Sequence, residues 1–109
     1  MDDPQLTRWQ AQLAQAQADL ARLGPMRPGS LSRQYKDPAA RTGASWQLSY
    51  THQMRSRTRY VRAEEVAALK PLLATFRRFR RLVDRCVDLS LKIAERQTAR
   101  RRSTLLKTR

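Results

Sequence analysis

The run Trp46-Gln47-Leu48-Ser49-Tyr50-Thr51 alternates large apolar side chains with small polar ones. After a turn at His52 to Arg55 the alternation resumes in Ser56-Arg57-Thr58-Arg59-Tyr60-Val61-Arg62. A period of two puts successive side chains on opposite faces, so the stretch predicts two antiparallel strands joined as a hairpin. With the aromatic residues taken as the inner set, Trp46, Leu48, Tyr50, Thr58 and Tyr60 point inward. Arg57 and Arg59 then share the outer face with Gln47, Ser49 and Thr51. The opposite orientation, with Trp46 and Tyr50 exposed for base stacking, suits single strands or RNA. It ranks lower, because a short chain needs those aromatics for its core.

On the N-terminal side, Asp3 to Leu23 predicts an amphipathic helix. Asp2 or Asp3 can cap it, and Pro4 sits where a missing N–H does no harm. Leu6, Trp9, Leu13, Ala16, Leu20 and Leu23 recur at a 3-4-3-4-3 spacing, a coiled-coil seam that ends at Gly24-Pro25. The seam packs against a later helix of this chain or, alternatively, pairs with a second copy. Between helix and hairpin the chain is rich in loop signals: Pro28-Gly29, Asp37-Pro38 and Gly43. Leu31, Arg33 and Tyr35 alternate with polar residues and allow a third strand from Ser30 to Tyr35.

On the C-terminal side, Val66, Leu69, Leu73, Phe76, Phe79, Val83, Cys86, Ser90 and Ile93 recur every three or four residues and predict a helix from Ala63 to about Arg96. Pro71 must kink this helix or split it at Lys70. The expected fold is therefore α+β: an N-terminal amphipathic helix, a small antiparallel hairpin with room for a third strand, and a long C-terminal helix kinked near Pro71. The two helices pack through Leu6, Trp9, Leu13 and Leu20 on one side and Phe76, Phe79, Val83 and Cys86 on the other. Residues 1–97 make one helix-hairpin-helix domain, and 98–109 a basic flexible tail.

Charge is distributed unevenly. The segment from Arg55 to Arg109 holds seventeen of the 23 Lys and Arg residues and only five acids, so it carries +12 of the net +14. A cationic surface repels itself until something anionic neutralises it, and nucleic acid is the common partner of a basic intracellular protein. The alternative source of the charge is a solvated, Arg-rich surface with no ligand. Two sets of candidates emerge. Arg55, Arg57, Arg59 and Arg62 on the hairpin would meet groove and backbone, for which a two-stranded ribbon has the width. On a helical wheel at about 100° per residue, Arg77, Arg78, Arg81, Arg85, Lys92 and Arg96 share a face nearly opposite the apolar stripe and would hold phosphates. Arg100, Arg101 and Arg102, with Lys107 and Arg109, would add contacts that specify no sequence.

Other chemistries lack residues. His52 is the single histidine and Cys86 the single cysteine, so one chain cannot assemble a zinc site of the usual ligand count, and no internal disulfide can form. Three glycines leave no Gly-rich phosphate cradle. Asp84 and Asp88 lie four apart on one helical face, as Mg²⁺-binding carboxylates do, but Arg80, Arg81, Arg85 and Lys92 at i±3 or i±4 offer them ion pairs. No catalytic residue, metal or cofactor is expected. No leader and no run of roughly 20 apolar residues is found, so no membrane partner is expected and the cytoplasm is the expected compartment.

Pro28-Gly29-Ser30-Leu31, Tyr35, the segment from Trp46 to His52, and Arg57-Thr58-Arg59-Tyr60-Val61 resemble a family of small uncharacterised basic bacterial proteins commonly found among transposase and mobile-element genes. So do Thr75 to Val83 and Asp88-Leu89-Ser90-Leu91. The likeness covers about Gly24 to Glu95 in short matches. Typical members of that family carry a C-G-x-P-x-C-x-C cluster between the tyrosine and the aromatic strand. Here ten residues without a cysteine separate Tyr35 from Trp46, so no metal role transfers. The resemblance implies a mobile-element setting and no mechanism. Together these features lead to the expectation of a non-enzymatic nucleic-acid-binding protein, with double-stranded DNA favoured over RNA. The alternative is a small basic interaction module, adaptor or inhibitor, that docks on an acidic protein or a ribonucleoprotein through an exposed seam on Leu6 to Leu23.

Overall fold

The computed structural model describes residues 2–37, 39, 40 and 42–107, in the order α1 (Pro4–Ala21), β1 (Ser30–Asp37), β2 (Thr42–His52), β3 (Arg55–Val61) and α2 (Ala63–Lys107). Pro38, expected as loop punctuation, and Arg109, expected in the basic tail, lie outside the described residues. The chain forms two compact units: Gly24–Arg78 is one, and the segment up to Leu23 together with that from Phe79 onward is the other.

In the Gly24–Arg78 unit the strands form one antiparallel sheet in the order β1-β2-β3. Leu48, Val61, Val66, Leu69 and Leu73 are its buried core, with Leu31, Trp46, Tyr50 and Leu72 packed against them. The first turns of α2 therefore cover one face of the sheet. The Arg27 amide donates to the Leu72 carbonyl at 3.1 Å, tying the loop before β1 to the same helix. Gly29 follows with φ of 132°, and a Cβ there would stand 2.9 Å from Leu48 Cδ1 and 3.0 Å from the Ser49 carbonyl. Glycine is required at this approach.

The hairpin corrects the expected faces. β2 and β3 close at the pair His52↔Arg55 around Gln53 and Met54, whose φ values of 51° and 65° are those of a primed two-residue turn. Residues directly opposite share a face. Trp46 thus faces Val61, Leu48 faces Arg59, and Tyr50 faces Arg57. Val61, not Tyr60, enters the core. Thr58 and Tyr60 stand on the other face with Gln47, Ser49 and Thr51, and Tyr60 is 76% exposed. Ser49 and Thr58 hydroxyls lie 3.4 Å apart there, and those of Thr51 and Ser56 lie 3.2 Å apart.

In the other unit, Asp3 caps α1: its Oδ1 accepts from the Leu6 amide at 3.2 Å, with Pro4 at the start of the helix. Asp3 bonds Arg96, the Trp9 ring meets Lys92, and Gln12 shares a cleft with Asp88 and Leu89, so α1 runs antiparallel to α2. Leu6, Ala16, Leu89 and Ile93 are buried. Leu89 replaces the expected Ser90, which is exposed. Half-buried Phe79, Leu82 and Cys86 continue this line with buried Leu89 and Ile93, a 3-4-3-4 spacing as regular as the one first read.

Pro71 does not split α2, although it has no N–H to donate to the Ala67 carbonyl. The helix also continues to Lys107, so Arg100, Arg101 and Arg102 are helical.

The hairpin parity gives a direct expectation. Tyr60→Thr should change stability by no more than about 0.5 kcal/mol, since it alters an exposed strand residue. Val61→Ala should lose about 1.5–3 kcal/mol of apolar burial. Urea unfolding followed by circular dichroism distinguishes this order from the reverse one.

Candidate nucleic-acid interface

Each unit carries its own cations. On the Gly24–Arg78 unit, the β-strand period sets Arg55, Arg57 and Arg59 on one face of edge strand β3, about 6–7 Å apart at two residues each. This is the face that also bears Leu48 and Tyr50, not the face of Gln47, Ser49 and Thr51 with which the arginines were expected. The three-stranded sheet therefore has a face of hydroxyls and amides, with Lys36 toward the end of β1, and a face whose exposed margin is cationic. Arg59 reaches Glu65 at 3.9 Å, a half-exposed pair that holds it loosely. Arg55, Arg57 and Arg62 make no ion pair among the described residues. Arg77 and Arg78, at the end of this unit, are exposed and equally unpaired among the described residues.

Further cations gather on aromatic rings, and these were missed in the sequence. The Arg27 guanidinium lies 5.0 Å from the Tyr50 ring centre, and its Nε is buried without a hydrogen-bond partner among the described residues. Arg33 stands 5.5 Å from the Tyr35 ring and 5.8 Å from that of Trp46, which also has Lys70 Nζ at 5.8 Å. The signal was present in the pairing of Arg33 with Trp46 across β1 and β2, but only the register reveals it.

On the other unit, Arg81, Arg85, Lys92, Arg101 and Arg102 are exposed on α2. Arg81, Arg85 and Lys92 line a cleft with Asp84 and Asp88, yet no ion pair within 4.0 Å joins these groups among the described residues. The expected local neutralisation of the stripe is absent at that distance. Lys92 Nζ lies 6.0 Å from the Trp9 ring centre. Arg96 has a structural partner: its Nε donates to Asp3 Oδ2 at 2.8 Å, and Arg100 approaches the same oxygen at 4.0 Å. Of the stripe, Arg77, Arg78, Arg81 and Arg85 are exposed and make no ion pair among the described residues.

Among the described residues no three His, Cys, Asp or Glu side chains converge as a metal would require, and no helix is long and apolar enough to cross a membrane. Cys86 is a half-buried free thiol. No protein-family model, curated protein or solved structure matches the chain.

The Arg96 hydrogen bond holds the Asp3 carboxyl below its ordinary value of 3.8, with help from the Leu6 amide and against the opposing effect of burial. A carboxylate whose pKa is lowered by folding adds stability above its unfolded pKa, and this stability is lost as pH falls through the folded value. Asp3→Asn keeps a capping side chain but removes the charge. We expect the variant to melt below wild type at pH 7, with the difference shrinking below about pH 4. Equal melting of the two at pH 7 would mean that the cap alone matters and the charge does not.

Proposed function

We propose that this chain is a non-enzymatic nucleic-acid-binding protein, with double-stranded DNA its favoured ligand and a mobile element its setting. The observation that carries this reading is the unneutralised charge. The whole chain bears +14. Among the described residues, just three arginine–carboxylate contacts within 4.0 Å are formed, by Arg59, Arg96 and Arg100. Arg55 and Arg57 on the hairpin, Arg62 between β3 and α2, and Arg77, Arg78, Arg81 and Arg85 on α2 are left to find anions elsewhere. Displacing condensed counterions from a polyanion offers a large free-energy gain to such a surface. The spacing of the β3 arginines suits successive phosphates of one strand, and Arg forks onto phosphate oxygens better than Lys does.

A second reading, docking on an acidic protein partner or pairing with another copy, draws on different residues. The α1 seam gives it little support, because Leu6 and Ala16 are already buried. Val87 and Leu91, at 51% and 56% exposure one helical turn apart on α2, support it more.

The test is a salt series of binding to duplex DNA, single-stranded DNA and duplex RNA of equal length, with wild type and the Arg57→Ala/Arg59→Ala variant. Preference for duplex DNA should survive near physiological salt. The variant should lose about 0.9 from the log–log salt slope for each phosphate contact removed. Equal, weak binding to all three that vanishes by about 200 mM salt would show charge without recognition. It would turn attention to the protein partner.

A further inference from the structure

A cleft of about 470 Å³ opens in the Gly24–Arg78 unit between the β1 side of the sheet and α2. Leu31, Leu73 and Ala74 supply its apolar lining, Trp46 its aromatic one, and Lys70 and Arg77 two cations. Among the described residues no carboxylate lines it. Lys70 and Arg77 are seven residues apart, about two turns of α2, and so project from the same side of the helix. Arg33 brings a third positive charge, 5.8 Å from the Trp46 ring. None of the three makes an ion pair among the described residues.

This combination selects a particular chemistry. An apolar and aromatic lining favours a flat ring, while unpaired cations beside it favour an attached anion. A simple anion would leave the Trp46 side unused, and an apolar ring alone would leave the cations unmatched. A nucleotide satisfies both. The volume falls in the range of small-molecule sites and is too small for a stacked base pair with its two backbones.

We infer that this cleft receives one unpaired nucleotide of the bound nucleic acid, at a strand end or a single-stranded junction. The base lies against Trp46, and the phosphate is held by Lys70 and Arg77. The inference rests on the nucleic-acid reading and deepens it, because duplex contacts by the β3 arginines would leave an adjoining unpaired nucleotide to be read separately. Stacking of this kind tolerates any base, so the cleft would recognise strand ends or junctions more than sequence.

The experiment uses the full chain. Trp9→Phe leaves Trp46 as the single tryptophan, so its fluorescence reports on the cleft; the Trp46 indole N–H resonance of the unmodified chain gives the same readout should that variant fold poorly. A nucleoside 5′-monophosphate should change the signal saturably, whereas inorganic phosphate and the bare nucleoside should bind at least tenfold more weakly. A duplex with a short single-stranded overhang should bind more tightly than a blunt one. Lys70→Ala/Arg77→Ala should lose both preferences with an unchanged melting curve, since both side chains are exposed.

Blunt-duplex binding with no monophosphate response and no overhang preference would overturn the cleft inference and leave the nucleic-acid reading standing. Equal responses to phosphate and monophosphate would overturn it as well. A monophosphate response without any duplex or overhang binding would overturn the inference as stated and the nucleic-acid reading with it.

Discussion

The pair His52↔Arg55, closed over Gln53 and Met54 in left-handed backbone, is the constraint on which the rest of the hairpin depends. A primed turn matches the right-handed twist of the strands, and it does so here without the glycine or asparagine that such turns favour. Left-handed backbone costs an ordinary L residue about 1–2 kcal/mol, so packing elsewhere must hold this turn in place. The packing is visible at the far end of the ladder, where Trp46 meets Val61, and between, where Leu48 is fully buried. A slip of one residue would exchange every side chain of β3 between faces, exposing Val61 and burying Tyr60 with its unpaired hydroxyl. The same pairing sorts the polar groups. Hydroxyls and amides collect on the open face, and the β3 arginines collect on the face whose centre α2 covers.

Much of this was legible in the sequence. The capping aspartate, the proline after it and the Gly24-Pro25 stop mark α1 because each satisfies or removes a specific backbone hydrogen bond. Alternation announces the strands for an equally local reason. What failed was parity across the turn: choosing the aromatic residues as the inner set places Tyr60 inside, but pairing places Val61 there, and pairing is not a property of either strand alone. The stripe of α2 shows the same limit. Ser90 and Leu89 both fit helical spacing near Cys86, and only contact with α1 decides that Leu89 is buried. The basic run after Glu95 reads as a tail because it lacks an apolar face, yet Arg96 and Arg100 are drawn to Asp3, 93 residues from Arg96 in the chain.

Charge behaves in two ways in this molecule. At Asp3 it is local and structural: one carboxylate caps α1 and receives the Arg96 guanidinium, tying the start of one helix to the later part of another. Arg55 and Arg57 on β3, and Arg81 and Arg85 in the middle of α2, make no ion pair among the described residues. Arg81 and Arg85 pass within a cleft of Asp84 and Asp88 without pairing at 4.0 Å, and Arg33 and Lys70 rest on an aromatic ring instead of a carboxylate. Cation–π contacts leave the positive charge intact and available to an anion. Among the described residues Asp3 and Glu65 are the carboxylates within 4.0 Å of an arginine, which fits the proposed polyanion ligand.

The most direct measurement follows side-chain N–H resonances during titration with duplex DNA at near-physiological salt. Sorting of the cations by the hairpin register predicts that the Arg57 and Arg59 Nε–H signals shift early, with those of Arg81 and Arg85, while the Gln47 side-chain amide on the opposite face stays in place. A shift of the Gln47 amide without those of Arg57 and Arg59 would contradict the face assignment, and no shifts at all would contradict the proposed ligand.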